Sequence, residues 1–433
     1  MAIPASVGFF FNTMYNVVDT YFGGLISTQA LASLSLSLPV FFIIIAMGSG
    51  IATGTTALIA NALGAGKDKE ARLFALQGFS FGLGVSVLLT VLGLACSPFL
   101  FRVLGASDEY LVMVLEYMDT LFLGAVFFVT LHMLNAILNS LGETRPFRNV
   151  LIAGFLLNIL LDPWFIYGGL GVPAMGIVGI AFATVLIQAV GCIYLAYRVK
   201  QSGFLSGESM RRALPRIVPV KEIARQGFPA SVNMLTVGMG IFVITYFVSQ
   251  FGKEAVAAYG AAMRVEQMAL VPAIGLNVAT LTLVAQNHGA GLCHRVRETL
   301  RASLLYGGVL MLAGTVAVFL TARILMGLFS SDAGVIDTGS TYLRIDALVL
   351  YAYVLLFVHV AALQGMKRPM VAVYVGLSRQ IIAPFLLFRF LTAWMGFGLV
   401  SIWWGIFSIT WGAALFTILY TRGILKKMDE GGR

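Results

Sequence analysis

Thr55-Thr56-Ala57-Leu58-Ile59-Ala60-Asn61-Ala62-Leu63-Gly64-Ala65-Gly66 is an apolar run that stops at glycine, with Lys67, Lys69 and Arg72 just beyond it. Its last three residues return as Gly289-Ala290-Gly291, 225 positions later. Pro4-Ala5-Ser6 returns as Pro229-Ala230-Ser231 and Tyr21-Phe22 as Tyr246-Phe247, at the same 225-residue offset. Arg145-Pro146 also returns, as Arg368-Pro369. Chance matches in apolar sequence do not hold one offset in this way, so the chain reads as an internal repeat.

On both sides of this stretch lie further apolar runs of about 20 residues or more, the length that crosses a bilayer. We read twelve: residues 2–22, 34–61, 74–103, 115–141, 147–167 and 176–199, then 228–250, 256–286, 299–327, 342–364, 370–392 and 397–421. Composition agrees, with 59% hydrophobic and 11% charged residues against the roughly 25% charged of soluble domains. The expected fold is an all-α polytopic membrane protein, with twelve transmembrane helices in two pseudo-symmetric six-helix lobes. The first lobe spans 1–199, a cytoplasmic linker 200–227, the second lobe 228–421 and a cytoplasmic tail 422–433. Six spans per half give both repeats the same orientation, related by an axis along the membrane normal. A cleft between the bundles and rocking about a central site follow from that symmetry.

The charges test the span count. Alternate loops hold Lys67, Lys69 and Arg72; Arg145 and Arg148; the linker cluster Arg198, Lys200, Arg211, Arg212, Arg216, Lys221 and Arg225; Arg295, Arg297 and Arg301; Lys367 and Arg368; and Arg422, Lys426, Lys427 and Arg433. The opposite loops hold only Arg102, Lys253 and Arg323, and are otherwise neutral (Gly168-Gly169-Leu170-Gly171) or acidic (Asp108-Glu109). The positive-inside rule then puts both termini in the cytoplasm, in the cytoplasmic (inner) cell membrane. The net charge of +9 is a topology signal spread over six loops, which excludes a nucleic-acid footprint. Cys96, Cys192 and Cys293 form neither a disulfide framework nor a metal motif. No cleavable signal peptide is visible. The sequence opens inside a span, which suggests that a short leader is missing from it. Prolines inside spans (Pro4, Pro39, Pro229, Pro272, Pro384) favour kinks, whereas Gly48, Gly50 and Gly54 permit close helix approach.

Two carboxylates fall inside apolar spans of the first half: Asp19 in Tyr15-Asn16-Val17-Val18-Asp19-Thr20 and Asp162 in Leu157-Asn158-Ile159-Leu160-Leu161-Asp162-Pro163. Such a placement costs roughly 2.5–3.5 kcal/mol on insertion scales, so its default reading is functional. Asp19 lies about four residues, or ~6 Å, from the outer end of its span, and Asp162 lies at similar depth. Tyr15 and Asn158 each precede a carboxylate by one turn, on the same helical face. Thr184 sits in the outer half of span 6, and Tyr117 opens span 4 on that side. Tyr15, Asp19, Tyr117, Asn158, Asp162 and Thr184 are therefore expected to form one cation-coupling pocket. A carboxyl group in apolar surroundings favours its protonated form, and a close pair of them titrates as one unit. The second half carries no counterpart: Asp19 maps to Ile244, and aligning Pro163 with Pro384 maps Asp162 to Ala383 and Asn158 to Arg379.

Other polar residues weigh less. Glu266 and Arg264 invite pairing, with each other or with another helix. Arg379 and Arg389 either snorkel or line the cleft. Asp119, Arg344 and Asp346 lie near span ends and read as solvated, while isolated His132 and His359 read as packed or singly hydrogen-bonded. No HExxH, GxSxG or comparable constellation is present, so an enzyme is not expected.

With these residues in place, the chain resembles the multidrug and toxic compound extrusion (MATE) family over nearly its whole length. The carriers are Pro4-Ala5-Ser6, Tyr15 to Asp19, Thr55 to Gly66, Asn139-Ser140-Leu141-Gly142-Glu143-Thr144-Arg145-Pro146, and Asn158 to Pro163. The resemblance implies efflux of bulky, often cationic, amphipathic compounds in exchange for protons, by alternating access. It is strongest to the DNA-damage-inducible or archaeal-type branch, whose first-lobe aspartates carry the coupling ion. Asp19, Asp162, Tyr15, Asn158 and Thr184 match those positions, with Tyr117 added. Sodium is the alternative ion, at Asp19, Asn158, Asp162 and Thr184. The branch typified by sodium-coupled norfloxacin pumps uses acids in helices 7 and 10, and the interiors 230–250 and 347–364 here hold none. The expected partners are small organic molecules and the lipid bilayer, with no cofactor and a monomeric state. The rival reading within the same superfamily is a flippase for lipid-linked oligosaccharide or lipid precursors.

Overall fold

The computed structural model describes residues 1–106 and 108–431. The side chains of Asp108 and Glu109, and Arg433 in the tail, lie outside the described residues. The first half runs through α1 (Ala2–Ile26), α2 (Thr28–Gly64), α3 (Asp68–Val103), α4 (Asp108–Leu123), α5 (Ala125–Ser140), α6 (Arg145–Tyr167) and α7 (Ile177–Gln201). A linker with a short 3₁₀ turn, Met210–Ala213, leads to α8 (Ile217–Ser249). Then come α9 (Lys253–Gly289), α10 (Cys293–Gly327), α11 (Ala333–Ala347), α12 (Leu350–Gly365), α13 (Met370–Leu377), α14 (Ala383–Arg389) and α15 (Val400–Gly431). π-helical turns at Ser378–Ile382 and Phe390–Trp394 join α13 and α14 into one length of helix.

Nine helical lengths among the described residues are long and apolar enough to cross a membrane. Two bent pairs, α4 with α5 (42°) and α11 with α12 (49°), each supply one more. The 25-residue α1, which carries Asn12, Asn16 and Asp19, completes the twelve. The sequence-read spans match these helices to within a few residues: the helices reach further at several ends, and the spans 115–141, 176–199, 228–250 and 397–421 overrun theirs by one to three residues.

The repeat governs the helix boundaries. The helices starting at Thr28, Asp68, Asp108, Ala125 and Arg145 have partners starting at Lys253, Cys293, Ala333, Leu350 and Met370, each 225 residues on. Their ends close alike. Lys67 N–H donates to Ala62 O (2.9 Å) and Gly66 N–H to Leu63 O (3.0 Å); Leu292 donates to Asn287 O (2.9 Å) and Gly291 to His288 O (3.1 Å). Gly66 (φ 69°) and Gly291 (φ 71°) take the left-handed conformation this closure needs, which explains glycine at both positions of the repeat.

The sharp bends at helix breaks do not fall at prolines. α2, α8 and α9 continue through Pro39, Pro229 and Pro272. The two bends above 40° fall at Gly124 and at Leu348–Val349, again equivalent positions. A bend frees carbonyls from the helical ladder, and in lipid these must be satisfied internally. Thr90 Oγ1 donates to Phe122 O (2.6 Å) in the first half, and Thr315 Oγ1 donates to Ala347 O (2.7 Å) in the second. Donors and acceptors are both related by the 225-residue offset.

The chain divides into two compact units, Val7–Ser231 and Met1–Ser6 with Val232–Arg433. The linker and the start of α8 thus belong to the first unit, and the first six residues to the second. Glycines make room for these segments. In the first unit, a Cβ on Gly54 would lie 2.7 Å from Gly227 Cα, and one on Gly50 would collide with Ser231. In the second, a Cβ on Gly275, the repeat partner of Gly50, would lie 2.6 Å from Ala2 O and 2.9 Å from Ser6 N. Buried Gln77 of α3 pins the linker, donating to Arg212 O (2.6 Å) and Leu214 O (2.8 Å) and accepting from Arg216 N–H (2.7 Å). Two apolar cores fill each unit, in the first around Leu58, Leu138 and Leu195 and around Ile44, Met118 and Ile180. Those of the second centre on Val354 and Leu363 and on Tyr259, Leu343 and Trp403.

Candidate functional site

The first unit gathers all six expected pocket residues. α1 supplies Tyr15 and Asp19 one turn apart, α6 supplies Asn158 and Asp162, α7 supplies Thr184 and α4 supplies Tyr117. Asn158 Nδ2 donates to Asp19 Oδ1 (2.8 Å), tying α6 to α1. Tyr15 Oη donates to Thr184 Oγ1 (3.0 Å), tying α1 to α7, while the Thr184 hydroxyl donates to Ile180 O one turn back (3.0 Å). The Asp162 carboxyl lies beside that of Asp19, and Tyr117 lies near both. Asn158 and Asp162 are fully buried and Asp19 is half-buried.

The local sequence explains the assembly. Gly154, one turn before Asn158, lets α7 approach α6: a Cβ there would lie 3.2 Å from Ile187 Cγ2, with Tyr15 Cε2 in ordinary contact at 3.9 Å. The loop after α6 folds back on its end, with Met175 N–H donating to Phe165 O (2.9 Å) and Gly176 N–H to Ile166 O (3.2 Å). Gly179 then meets the α6 backbone, where a Cβ would lie 2.7 Å from Phe165 C. That docking sets the register of α7 and carries Thr184 to Tyr15.

Three acceptor oxygens of the cluster face no donor among the described residues: both carboxyl oxygens of Asp162 and Oδ1 of Asn158. Buried acceptors are nearly always satisfied, so these oxygens mark where a proton or a small cation would bind. Among the described residues no three His, Cys, Asp or Glu side chains converge as a metal site.

The second unit holds a polar cluster that the sequence reading undervalued. Asp346, expected to be solvated, is only 3% exposed, because it lies where α11 turns into α12 and the bend folds it inward. Its Oδ1 has no donor among the described residues. Glu266 accepts from Tyr342 Oη (2.7 Å), while Arg264 and Arg344 are exposed. Arg379, in the first π-helical turn, lies over the Tyr353 ring at 5.4 Å. Arg389 is exposed, Asp119 accepts from Ser97 Oγ (3.4 Å), and His359 Nδ1 lies 2.6 Å from Leu355 O. The missed signal was spacing: Tyr342 and Asp346 are one turn apart, the pattern that was read as significant at Tyr15 and Asp19. Counting from the helix starts gives a second register for α6, beside the alignment of Pro163 with Pro384. Asp162 falls opposite Leu387 and Asn158 opposite Ala383, both without charge.

The MatE family model matches residues 4–164 and again 229–388, one match per half. A FAD transporter of Shewanella oneidensis is 26% identical over 388 residues, 88% of this chain and 84% of that protein. A probable multidrug resistance protein NorM of Thermotoga maritima is 27% identical over 408 residues, 92% of this chain and 87% of that protein. The solved outward-facing conformation of a multidrug resistance MATE family transporter of the MOP superfamily superposes with a TM-score of 0.92. It shares 26% identity and covers 99% of this chain and 95% of that chain. Proteins of this family are transporters, not enzymes. With twelve apolar helices arranged in two repeats, this chain belongs to the multidrug and toxic compound extrusion (MatE) family.

Proposed function

We propose that the protein exports amphipathic, often cationic organic compounds across the cytoplasmic membrane in exchange for protons, with Asp19 and Asp162 as the coupling groups. The observation that carries this reading is the Asp162 carboxyl, fully buried beside the Asp19 carboxyl and the Asn158 side chain, with no donor in hydrogen-bonding geometry to either oxygen. A single proton between the two carboxyls supplies the missing donor and removes one buried charge. Half-buried Asp19 is the point of entry. Protonating it weakens the charge-assisted bond from Asn158 that ties α1 to α6, so α1 is the element that responds. The altered α1 then favours release of substrate outside, and loss of the proton to the cytoplasm resets the cycle. Both termini lie in the cytoplasm, as the loop charges require, and the protein acts as a monomer.

The oxygens without donors also support sodium as the coupling ion. Asn158 Oδ1 and both Asp162 oxygens are hard ligands in one place, with Asp19 and Thr184 adjacent.

The test is efflux from proteoliposomes under a proton gradient or a sodium gradient, imposed separately, with a fluorescent organic cation and FAD as alternative cargoes. Proton-driven flux that falls at least ten-fold in Asp19→Asn and Asp162→Asn supports the proposal; ten-fold corresponds to ~1.4 kcal/mol of lost coupling. Sodium-driven flux lost in the same variants keeps the site and changes its ion. Normally expressed variants that still drive uphill flux would rule the pair out. Flux of a lipid-linked precursor, with none of either cargo, would move the protein to the flippases.

A further inference from the structure

A cavity of about 240 Å³ lies between α6 and α7 in the first unit, lined on α6 from Asn149 through Ala153 and Gly154 to Leu157 and on α7 by Val190 and Tyr194 among others. It runs about two turns of α6, or ~12 Å. Its size is below the roughly 300–1,000 Å³ of drug-sized sites, and it is apolar along its length. That shape suits one alkyl chain. The groove is open at its rim, where Val190 is 47% exposed.

One end is polar and basic. Asn149 Nδ2 donates to Tyr194 Oη (3.3 Å), closing the groove. Arg148 Nε and Nη2 both donate to Asn149 Oδ1 (3.2 and 2.8 Å), which holds the guanidinium plane over that end. Arg145 begins the same helix one turn earlier and is exposed. No acidic side chain lines the cavity. An apolar slot that ends beside Arg148, with Arg145 one turn away, is complementary to a lipid with an anionic headgroup, and basic pockets between membrane helices bind such headgroups.

We propose that this groove is a binding site for an anionic phospholipid, with its phosphate on Arg148 and one acyl chain between α6 and α7. The chain would lie against Gly154, whose other neighbour is Tyr15 of the acid cluster, so occupancy of the groove bears on the packing that positions Tyr15. The site does not depend on which ion couples transport, because its readout is lipid binding.

The test is native mass spectrometry of the full-length protein titrated with phosphatidylglycerol and phosphatidylcholine of identical acyl chains. The expected result is tighter retention of phosphatidylglycerol, by roughly five-fold per engaged arginine. Arg148→Gln should bring its tightest site down to the phosphatidylcholine level. Ala153→Leu, which fills the groove from an exposed position, should weaken both lipids. Equal retention of the two headgroups by the unmodified protein would overturn the proposal, as would tightest binding untouched by Arg148→Gln. Retention of both lipids at full strength in Ala153→Leu would overturn the placement of the chain. If one variant fails to fold, the other still decides, since Arg148→Gln acts on the headgroup and Ala153→Leu on the acyl slot.

Discussion

Asp162 owes its place to a local pattern and its chemistry to burial. The sequence sets it one turn after Asn158, but only the packed helices deprive both its oxygens of donors. Tyr15 has a separable role, because its hydroxyl reaches Thr184 and not a carboxyl. Tyr15→Phe should therefore lower stability by ~1 kcal/mol, the worth of one buried hydrogen bond, and leave the ion selectivity of transport unchanged. Thermal unfolding and the two-gradient flux assay together check this. Asp346 gives the converse test at the same scale. It is buried as Asp162 is, yet its neighbours are Glu266 and three tyrosines of the second unit. If coupling belongs to the first unit, Asp346→Asn keeps gradient-driven flux where Asp162→Asn loses it.

Threonines and glycines shape the helices at two kinds of place, the bends at helix breaks and the close approaches. Each bend, at Gly124 and at Leu348–Val349, has a threonine hydroxyl from a neighbouring helix on a carbonyl beside it. Thr90→Val and Thr315→Val preserve shape and remove that donor. Each should cost about 1–3 kcal/mol, the penalty for a buried acceptor left unpaired, and the two should be nearly additive because they lie in different units. Gly50→Ala is the corresponding test of close approach. Its new methyl would meet the Ser231 backbone, which cannot swing aside as a flexible side chain would. A loss of about 1–3 kcal/mol is expected, measured as a lower midpoint of thermal unfolding.

At the scale of the whole molecule, the repeat is close in backbone and divergent in chemistry. Five pairs of helix starts share one offset, yet the acid pair of α1 and α6 has no counterpart at Ile244 and Leu387. The second unit carries its acids elsewhere, at Glu266 and Asp346. One backbone plan therefore leaves each unit free to hold different polar groups. The loop charges give a further prediction. A single cysteine at Ser202 should be labelled by a membrane-impermeant maleimide only from the cytoplasmic side, and one at Gly171 only from outside. The reverse pattern would invert the direction of transport proposed above.

The sequence by itself determined the span count, the repeat and the six residues of the first cluster. These rest on local quantities: the apolar length needed to cross a bilayer, loop charge, and the one-turn spacing that puts Asn158 and Asp162 on one face. Tertiary structure decided what depends on contacts distant in sequence. At both bends, Gly124 and Leu348–Val349, a threonine on another helix takes a carbonyl beside the break, a contact distant in sequence. Met1–Ser6 joins the second unit and the start of α8 the first because Gly275 and Gly50 open the space for them. Asp346 looked solvated from its position near a span end, and it is buried because the α11–α12 bend turns it inward. Charge and hydropathy are properties of a residue and its neighbours in sequence, whereas burial belongs to the packed whole.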